Sequence, residues 1–515
     1  MNGAESLVHT LVDGGIDVCF ANPGTSEMHF VAALDKIEGM RCVLCLFEGV
    51  VSGAADGYAR MTGGPAATLL HLGSGLGNSL ANMHNARKAR SAVVNVVGEH
   101  ARHHLQYDSP LKSDIQGIAG PISDWVKTTA DVASVGPDGA AAIAAARTSP
   151  GQIATLILPA DTAWGDGGVV GKVPAINEPE AIAGDDVEQA VAALRDDGPT
   201  LLLLGGATLH EEPLEIAGRI AARTGCDVLA ECFNSRMERG AGRFPIRRLS
   251  YPVRQTLAAL ERYRNVVLVG AEIPVAFFAY PGMPSLMLPD GCRAVTLARP
   301  DQDRLGALVA LAEAVGAGHN TPIERQSAER PAAPTGPITA DAIAAAVGAL
   351  LPENAIVVDE SITTGRGLAP LTAGAPPHDW LQNTGGAIGI GLPLATGAAV
   401  ACPERKVVCL ESDGSGMYTP QALWTQAREG LDVTTLVFAN RSYNILKGEL
   451  ANVGAGEPGP RARDMLSLDR PDLQWAGLAN AMGVEAEWVE TAEDLCTAMS
   501  RGLASEGPYL IEVVI

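Results

Sequence analysis

Short apolar runs separated by helix-patterned stretches recur along nearly the whole chain. Val43–Phe47, Ala67–Leu72, Ala92–Val97, Ile153–Leu158, Leu201–Leu204, Val266–Val269, Ile356–Val358, Val407–Leu410 and Thr435–Phe438 are the clearest of them. Unbroken runs this short suit strands buried on both faces of a parallel sheet. Parallel neighbours need a long crossover, usually a helix, and the intervening stretches supply it. The pattern predicts an α/β fold of mostly parallel, doubly wound sheets flanked by helices. The chain has 515 residues, and at ~150 residues per domain it divides into about three. Two stretches read as linkers: Gly165–Gly184, rich in Gly, Pro and acid, and the proline-punctuated Ala317–Pro337. They predict domains over 1–165, 185–316 and 338–515.

Charge narrows the partners. The net charge of −22 repels nucleic acid and anionic membranes, so neither is expected as a partner. An anionic substrate would then need a local positive site, such as a metal ion. The nine cysteines are odd in number and only Cys42 and Cys45 have CxxC spacing, with no second pair to complete a zinc site, so reduced thiols are expected instead of a disulfide framework. The N-terminal MNGAESLVHTLVDGG lacks a basic segment followed by an apolar one, and no run reaches the ~18 apolar residues of a membrane helix. A soluble, cytoplasmic protein is expected.

The last third carries the most specific spacing. Val407–Leu410 runs into Glu411-Ser412-Asp413-Gly414-Ser415; Thr419 and Pro420 suit a helix start, Gly430 its end, and Thr435–Phe438 the next strand, with Asn440 just beyond. Adjacent parallel strands lie ~4.8 Å apart. Asp413 and Asn440 should therefore emerge side by side at the carboxyl edge, where open α/β sheets bind ligands. A carboxylate, an amide oxygen and a backbone carbonyl are hard ligands suited to Mg²⁺ or Ca²⁺ held together with phosphates. Glycines at 414 and 416 would let the backbone approach a phosphate.

This acidic turn, the helix near TPQALW and the strand ending in asparagine resemble the diphosphate signature of thiamine-diphosphate (ThDP) enzymes. The similarity is greatest to the acetolactate synthase, benzoylformate decarboxylase and pyruvate decarboxylase group, and is acetolactate-synthase large-subunit-like. It implies Asp413 and Asn440 as metal ligands by side chain, Ser442 by its carbonyl, and Gly414 and Ser415 at the diphosphate. Ser412 stands where the family has the first glycine of GDG, and Ala439 where it has the first asparagine of NN. TGGAIGIGLP, from Thr384 to Pro393, is similar to the segment beside the cofactor pyrimidine. There Gly386 would offer its carbonyl, Ile388 would force the cofactor into its bent form, and Thr363 would lie near it.

The resemblance also gives a reason for Glu48, a carboxylate at the end of the apolar run VLCLFEGVV. In the family such a glutamate hydrogen-bonds the pyrimidine N1′, and an apolar setting strengthens that bond. The competing reading is a helix-capping acid or a partner for Arg60. His71, in HLGSGLGN, matches the position of a decarboxylase histidine and is a candidate proton donor or acceptor. Thr25 in ANPGTSEMHF would border the substrate. His103 and His104 are similar to a pyruvate-decarboxylase histidine pair, against the alternative of a solvated loop. Phe277 and Phe278 occupy the stretch where benzoylformate decarboxylase has a second histidine. Their apolar character would favour an intermediate that attacks a second carbonyl.

The central third holds LLLLGGATLHEEP, a strand followed by a Gly-Gly turn. With no GxGxxG after it, FAD is not expected there. The resemblance implies ThDP- and Mg²⁺-dependent decarboxylation of a small 2-oxo acid, with carboligation of the remaining acyl group. A nonligating decarboxylase, a lyase or hydrolase of another 2-oxo compound, and an inactive ThDP-binding partner subunit are the alternatives. It further implies a homodimer or homotetramer with active sites between subunits.

Overall fold

A computed structural model describes residues 1–515 and contains three sheets. The first holds β1 (Val18–Ala21), β2 (Arg41–Leu44), β3 (Ala66–Leu70), β4 (Val93–Glu99), β5 (Trp125–Thr128) and β6 (Ile153–Pro159), in the order β2-β1-β3-β4-β6-β5. The second holds β7 (Thr200–Leu204) and β8 (Asp227–Ala230). After them β9 (Arg236–Arg239) leaves for the third sheet, and β10 (Arg247–Arg248), β11 (Asn265–Val269) and β12 (Arg293–Ala298) complete the second in the order β10-β8-β7-β11-β12. The third combines β9 with β13 (Ile356–Glu360), β14 (His378–Gln382), β15 (Val407–Ser412), β16 (Val433–Ala439), β17 (Glu485–Val489) and β18 (Tyr509–Val514), in the order β17-β18-β16-β15-β13-β14-β9. All pairings are parallel except β14 with β9. Both linker-like stretches run without helix or strand between the flanking helices.

The third sheet is the middle layer, and the period-2 alternation of its strands shows why. Ile356 and Val358, Val407 and Cys409, and Val433 and Val437 join a core shared with the first sheet's helices. Val357, Val408, Leu410, Leu436 and Phe438 point the other way, into a core shared with the second sheet. Each such side chain contributes about 1.5–3 kcal/mol by leaving water.

Helices α1 (Glu48–Thr62), α2 (Leu72–Ala89) and α3 (Gly391–Ala401) join the first and third sheets. Two glycines allow α1 and α3 to touch backbone to backbone. A Cβ on Gly57 would lie 2.2 Å from the Leu394 carbonyl oxygen, and one on Gly397 only 1.8 Å from that of Ala54. Gly57 belongs to the ADGYAR stretch, as does Arg60. The buried Arg60 side chain pairs with Asp56 through Nε and Nη2 at 2.8 and 2.6 Å, then donates onward to Gln382 O, Thr384 Oγ1 and Ser235 O. One guanidinium thus ties residues of all three sheets' surroundings together.

Two local expectations are corrected. The run Val43–Phe47 is strand only to Leu44, because its neighbour β1 ends at Ala21 and Cys45 N makes the last bond across, to Ala21 O. Thr419 does not cap the following helix with its hydroxyl. It donates instead to Gly389 O at 2.8 Å, while α4 (Gln421–Glu429) follows Pro420 and ends at the left-handed Gly430 as expected.

At the switch point between β7 and β11, the half-buried Glu231 accepts from Gly206 N at 3.0 Å, and partial loss of water pushes its carboxyl up to about 7. A carboxyl whose folded value is raised holds its proton more tightly folded than unfolded. Its stabilising contribution is present below its ordinary value and is lost as pH rises towards 7. Thermal melts should show the wild type losing up to about 3 kcal/mol on this account between pH 4.5 and 7. Glu231→Gln should lack that step.

Candidate active site

The first half of the site forms at the carboxyl ends of β1 to β3. Glu48 is the first residue of α1 and is buried. Its Oε2 accepts from Asn78 Nδ2 at 2.9 Å, and a Cβ on Gly75 would crowd its Oε1 at 2.9 Å. Arg60 is committed to Asp56, so it is not the partner of Glu48. Glu48 does stand at a helix N-terminus, where the helix dipole favours an acid.

His71 precedes α2 and is held by a residue that sequence reasoning missed. Its Nδ1 lies 2.9 Å from Oε2 of Glu27 and 3.4 Å from Ser26 Oγ. Glu27 is 4 % exposed and also accepts from Gly24 N and Ser26 Oγ. Gly24 makes room for the ring, since a Cβ there would fall 2.0 Å from His71 Nδ1. The signal was present in NPGTSE, but the acid needs β1 and β3 brought side by side before it meets His71.

A cavity of about 350 Å³ collects Thr25, Ser26, His71, His100, His103 and His104, with Leu111 and Trp164. His103 and His104 are exposed, in the short turn Arg102–His104, and the His100 and His104 rings lie 5.5 Å apart. The wall contributed by the first sheet is therefore rich in acid–base groups, in contrast to the apolar pocket anticipated from Phe277. A larger open depression of about 440 Å³, around Glu5, His9 and Lys36, contains none of these residues.

The second half forms at the carboxyl ends of β13 to β16. Asp413 and Asn440 do emerge together. Asp413 Oδ2 accepts from Arg441 N at 2.6 Å and its Oδ1 from Gly414 N at 2.9 Å. Asn440 Oδ1 accepts from Ser442 N at 3.0 Å. The Ser442 hydroxyl is turned away to Leu466 O, and its carbonyl accepts from Asn444 N. Burial pushes the Asp413 carboxyl up to about 6, with backbone N–H groups drawing it back down. Such a buried carboxylate, held only by amides, gains most from a cation. This donor set of hard oxygens fits Mg²⁺. Gly414 is required by the Tyr443 ring, which a Cβ would meet at 2.6 Å. The Ser415 hydroxyl is not free for a phosphate, since it donates to Glu411 Oε1 at 2.5 Å.

Beside this turn lies Gly386, exposed and at φ +80°, with the Phe277 ring 2.4 Å from where its Cβ would be. Ile388 is half-buried two residues on. Thr363 starts the turn Thr364–Gly367. Below the loop sit two buried acids that sequence reasoning did not connect. Glu360 accepts from Asn383 Nδ2, Gly389 N and Gly391 N. A Cβ on Gly391 would be 2.3 Å from Glu411 Oε2 and 3.2 Å from Glu360 Oε2. Burial pushes Glu360 up to about 7, and burial together with Glu360 raises Glu411 well above the carboxylate range. Charge on one of these buried carboxyls disfavours charge on the other.

Backbone strain marks the same places. Of five non-glycine residues with positive φ, Leu72 follows His71, Ile362 precedes Thr363 and Arg441 follows Asn440. Strain of this kind persists where the surroundings over-determine the backbone, often at functional sites.

A sheet edge with an acid, an amide and a carbonyl together, and a glycine loop beside it, is the kind of α/β site suited to a diphosphate held through a cation. The chain matches the thiamine pyrophosphate enzyme N-terminal TPP binding domain over residues 1–120 and the C-terminal TPP binding domain over 366–513. It is 54 % identical, over 100 % of its length and 99 % of the relative's, to "Putative acetolactate synthase large subunit IlvX" of Mycobacterium tuberculosis. It is 28 % identical to the benzoylformate decarboxylase of Pseudomonas aeruginosa, over 97 % and 96 % of the two chains. The 4-hydroxybenzoylformate decarboxylase structure from Rhodococcus jostii superposes with a TM-score of 0.85 at 25 % identity, covering 99 % and 98 %. The chain belongs to the thiamine-diphosphate-dependent enzymes, in the acetolactate synthase and benzoylformate decarboxylase group.

With Asp413 as the ligand that its hard-oxygen setting suits, Asp413→Asn would weaken Mg²⁺-dependent ThDP binding about a hundredfold, the cost of losing a charged partner at a buried site. In the cofactor-free chain at pH 8 the same change should raise the melting temperature, because it removes an uncompensated buried charge. Calorimetric titration and thermal melts read the two effects separately.

Proposed function

We propose that this enzyme decarboxylates a 2-oxo acid with ThDP and Mg²⁺. The observation that carries the fate of the product is the His71–Glu27 contact at 2.9 Å, which gives the cavity a held acid–base group. Bound ThDP would supply the electron sink for the bond next to the substrate carbonyl. Asp413, Asn440 and the Ser442 carbonyl would hold Mg²⁺, and Gly414 would admit the diphosphate. Glu48 would hold a proton against the pyrimidine N1′, with Gly386 and Ile388 setting the ring's place. Thr25 and Ser26 would border the substrate. Glu27 fixes the His71 ring so that its Nε2 is the nitrogen left to move a proton at the reacting carbon.

On this reading the carbon that loses CO₂ is protonated, as in a nonligating decarboxylase. A second reading, carboligation to another carbonyl, is favoured by the exposed Phe277 and Phe278 beside Gly386, and by the relative named as an acetolactate synthase subunit. An assembly with sites between subunits is supported by large apolar side chains next to each half-site: Leu46 beside Glu48, and Met417 and Tyr418 beside Asp413, all at least 39 % exposed.

Incubation with ThDP, Mg²⁺ and ¹³C-labelled pyruvate or benzoylformate, followed by NMR, tests these readings. Labelled aldehyde is expected; a labelled 2-hydroxy ketone or acetolactate would establish carboligation instead. No turnover of any 2-oxo acid with ThDP bound would reject both. Gly24→Ala should drive the His71 ring from its place and lower kcat at least tenfold, in line with the cost of a ~1 Å misplacement. Its ThDP affinity should remain that of the wild type.

A further inference from the structure

Helix α2 carries Asn78, Asn82 and Asn85, four and three residues apart, on one stripe. Asparagine is a poor helix former, because its side chain competes for the backbone. Asn82 and Asn85 are nonetheless 2 % and 0 % exposed. Their amides are occupied on other elements. Asn78 donates to Glu48 at 2.9 Å. Asn82 Nδ2 donates to Gly49 O at 2.8 Å and reaches Gly389 O at 3.3 Å. Asn85 Nδ2 donates to Ala387 O at 2.7 Å, and Asn85 Oδ1 accepts from Ala387 N at 3.2 Å.

The last pair is a two-point clamp. One side-chain amide satisfies both the N–H and the C=O of a single residue, as a neighbouring strand would. It thereby fixes the peptide planes on either side of Ala387. One of those planes carries the Gly386 carbonyl, and the other sets the direction of Ile388. The rest of α2 supports the same loop. The Asn85 carbonyl accepts from Thr384 Oγ1 at 2.8 Å, and His84 Nε2 lies 3.1 Å from Gly385 O. Asn383 shapes the loop from within, donating to Ala387 O and accepting from Gly386 N. The α2 contacts tie it to the helix that follows His71 and that also bonds Glu48 through Asn78.

We propose that Asn85, backed by Asn82, is a positioning residue for ThDP, fixing the Ala387 peptide so that the Gly386 carbonyl and the Ile388 side chain meet the pyrimidine. The proposal rests on the reading of Gly386 and Ile388 as cofactor contacts. The test is calorimetric titration of the cofactor-free enzyme with ThDP in the presence of Mg²⁺, beside its melting temperature and steady-state kinetics. Asn85→Ala is expected to weaken ThDP binding about tenfold or more, the scale of a lost buried hydrogen-bond pair. Its kcat should fall while KM for the 2-oxo acid holds.

Asn95→Ala is the control. Asn95 is equally buried, in β4, and bonded to Thr68 and Thr155 away from the loop. It should lower the melting temperature and leave ThDP affinity unchanged. Wild-type ThDP affinity in Asn85→Ala, or a loss of affinity matched by Asn95→Ala, would overturn the proposal. If Asn85→Ala does not fold, Asn85→Asp carries the test: it retains the acceptor for Ala387 N and lacks the amide donor, so weakened binding is expected and wild-type binding overturns. Ile388→Ala separates the two layers. Unchanged affinity and turnover there would reject the loop as the cofactor's seat, whereas a sensitive Ile388 with an insensitive Asn85 would reject positioning alone.

Discussion

A guanidinium buried between three layers has to be neutralised and have its donors used, or the fold loses several kcal/mol. Arg60 meets that demand by pairing with Asp56 one turn earlier and by donating to Ser235, Gln382 and Thr384. Asp56 is itself bonded by Ser91, so neither charge is left open. The relative placement of the first and third sheets depends on this pair together with the glycine contacts of α1 and α3. So does the glycine loop from Thr384 to Gly391, since Thr384 is its first residue. Arg236 extends the tie by donating to Arg60 O, Met61 O and Asp379.

On that frame, the two half-sites are built in different ways. The Glu48 half is assembled from helix starts and a histidine oriented by a buried acid. The Asp413 half is assembled from strand ends, with backbone amides holding a carboxylate that lacks a positive partner. Both use glycine to admit a neighbour too close for any Cβ: Gly24 for His71, Gly75 for Glu48, Gly414 for Tyr443 and Gly391 for the paired acids. The raised Glu411 carboxyl fits the same economy, because the N–H groups of the turn above it are already taken by Glu360.

Much of this was legible in the chain. Unbroken apolar runs identified nine strands, and the spacing of Asp413 and Asn440 placed them together because a βαβ unit leaves few alternatives. Strands such as Val18–Ala21 and His378–Gln382 were not legible. The first is only four residues long, and HDWLQ looks polar although all five residues are buried. Glu27, Glu360, Glu411 and Asn85 escaped for another reason. Each acts through a partner distant in sequence: 44 residues for Glu27 with His71, and 302 for Asn85 with Ala387. Thr419 was expected to cap the next helix, but its hydroxyl found a tertiary acceptor in Gly389; Ser415 was expected at the diphosphate, but its hydroxyl is taken by Glu411 one turn earlier.

The sequence by itself determined the α/β class, the order of the units and the residue types at the Asp413–Asn440 edge. These follow from periodicity and from spacings within one supersecondary unit, where chain geometry fixes proximity. Only the tertiary structure decided which acid faces His71, which asparagine clamps Ala387 and which carboxyls are buried side by side beneath Gly391. Those outcomes depend on the distance and solvent exclusion created when separate sheets close on one another, and neither quantity is defined along a chain.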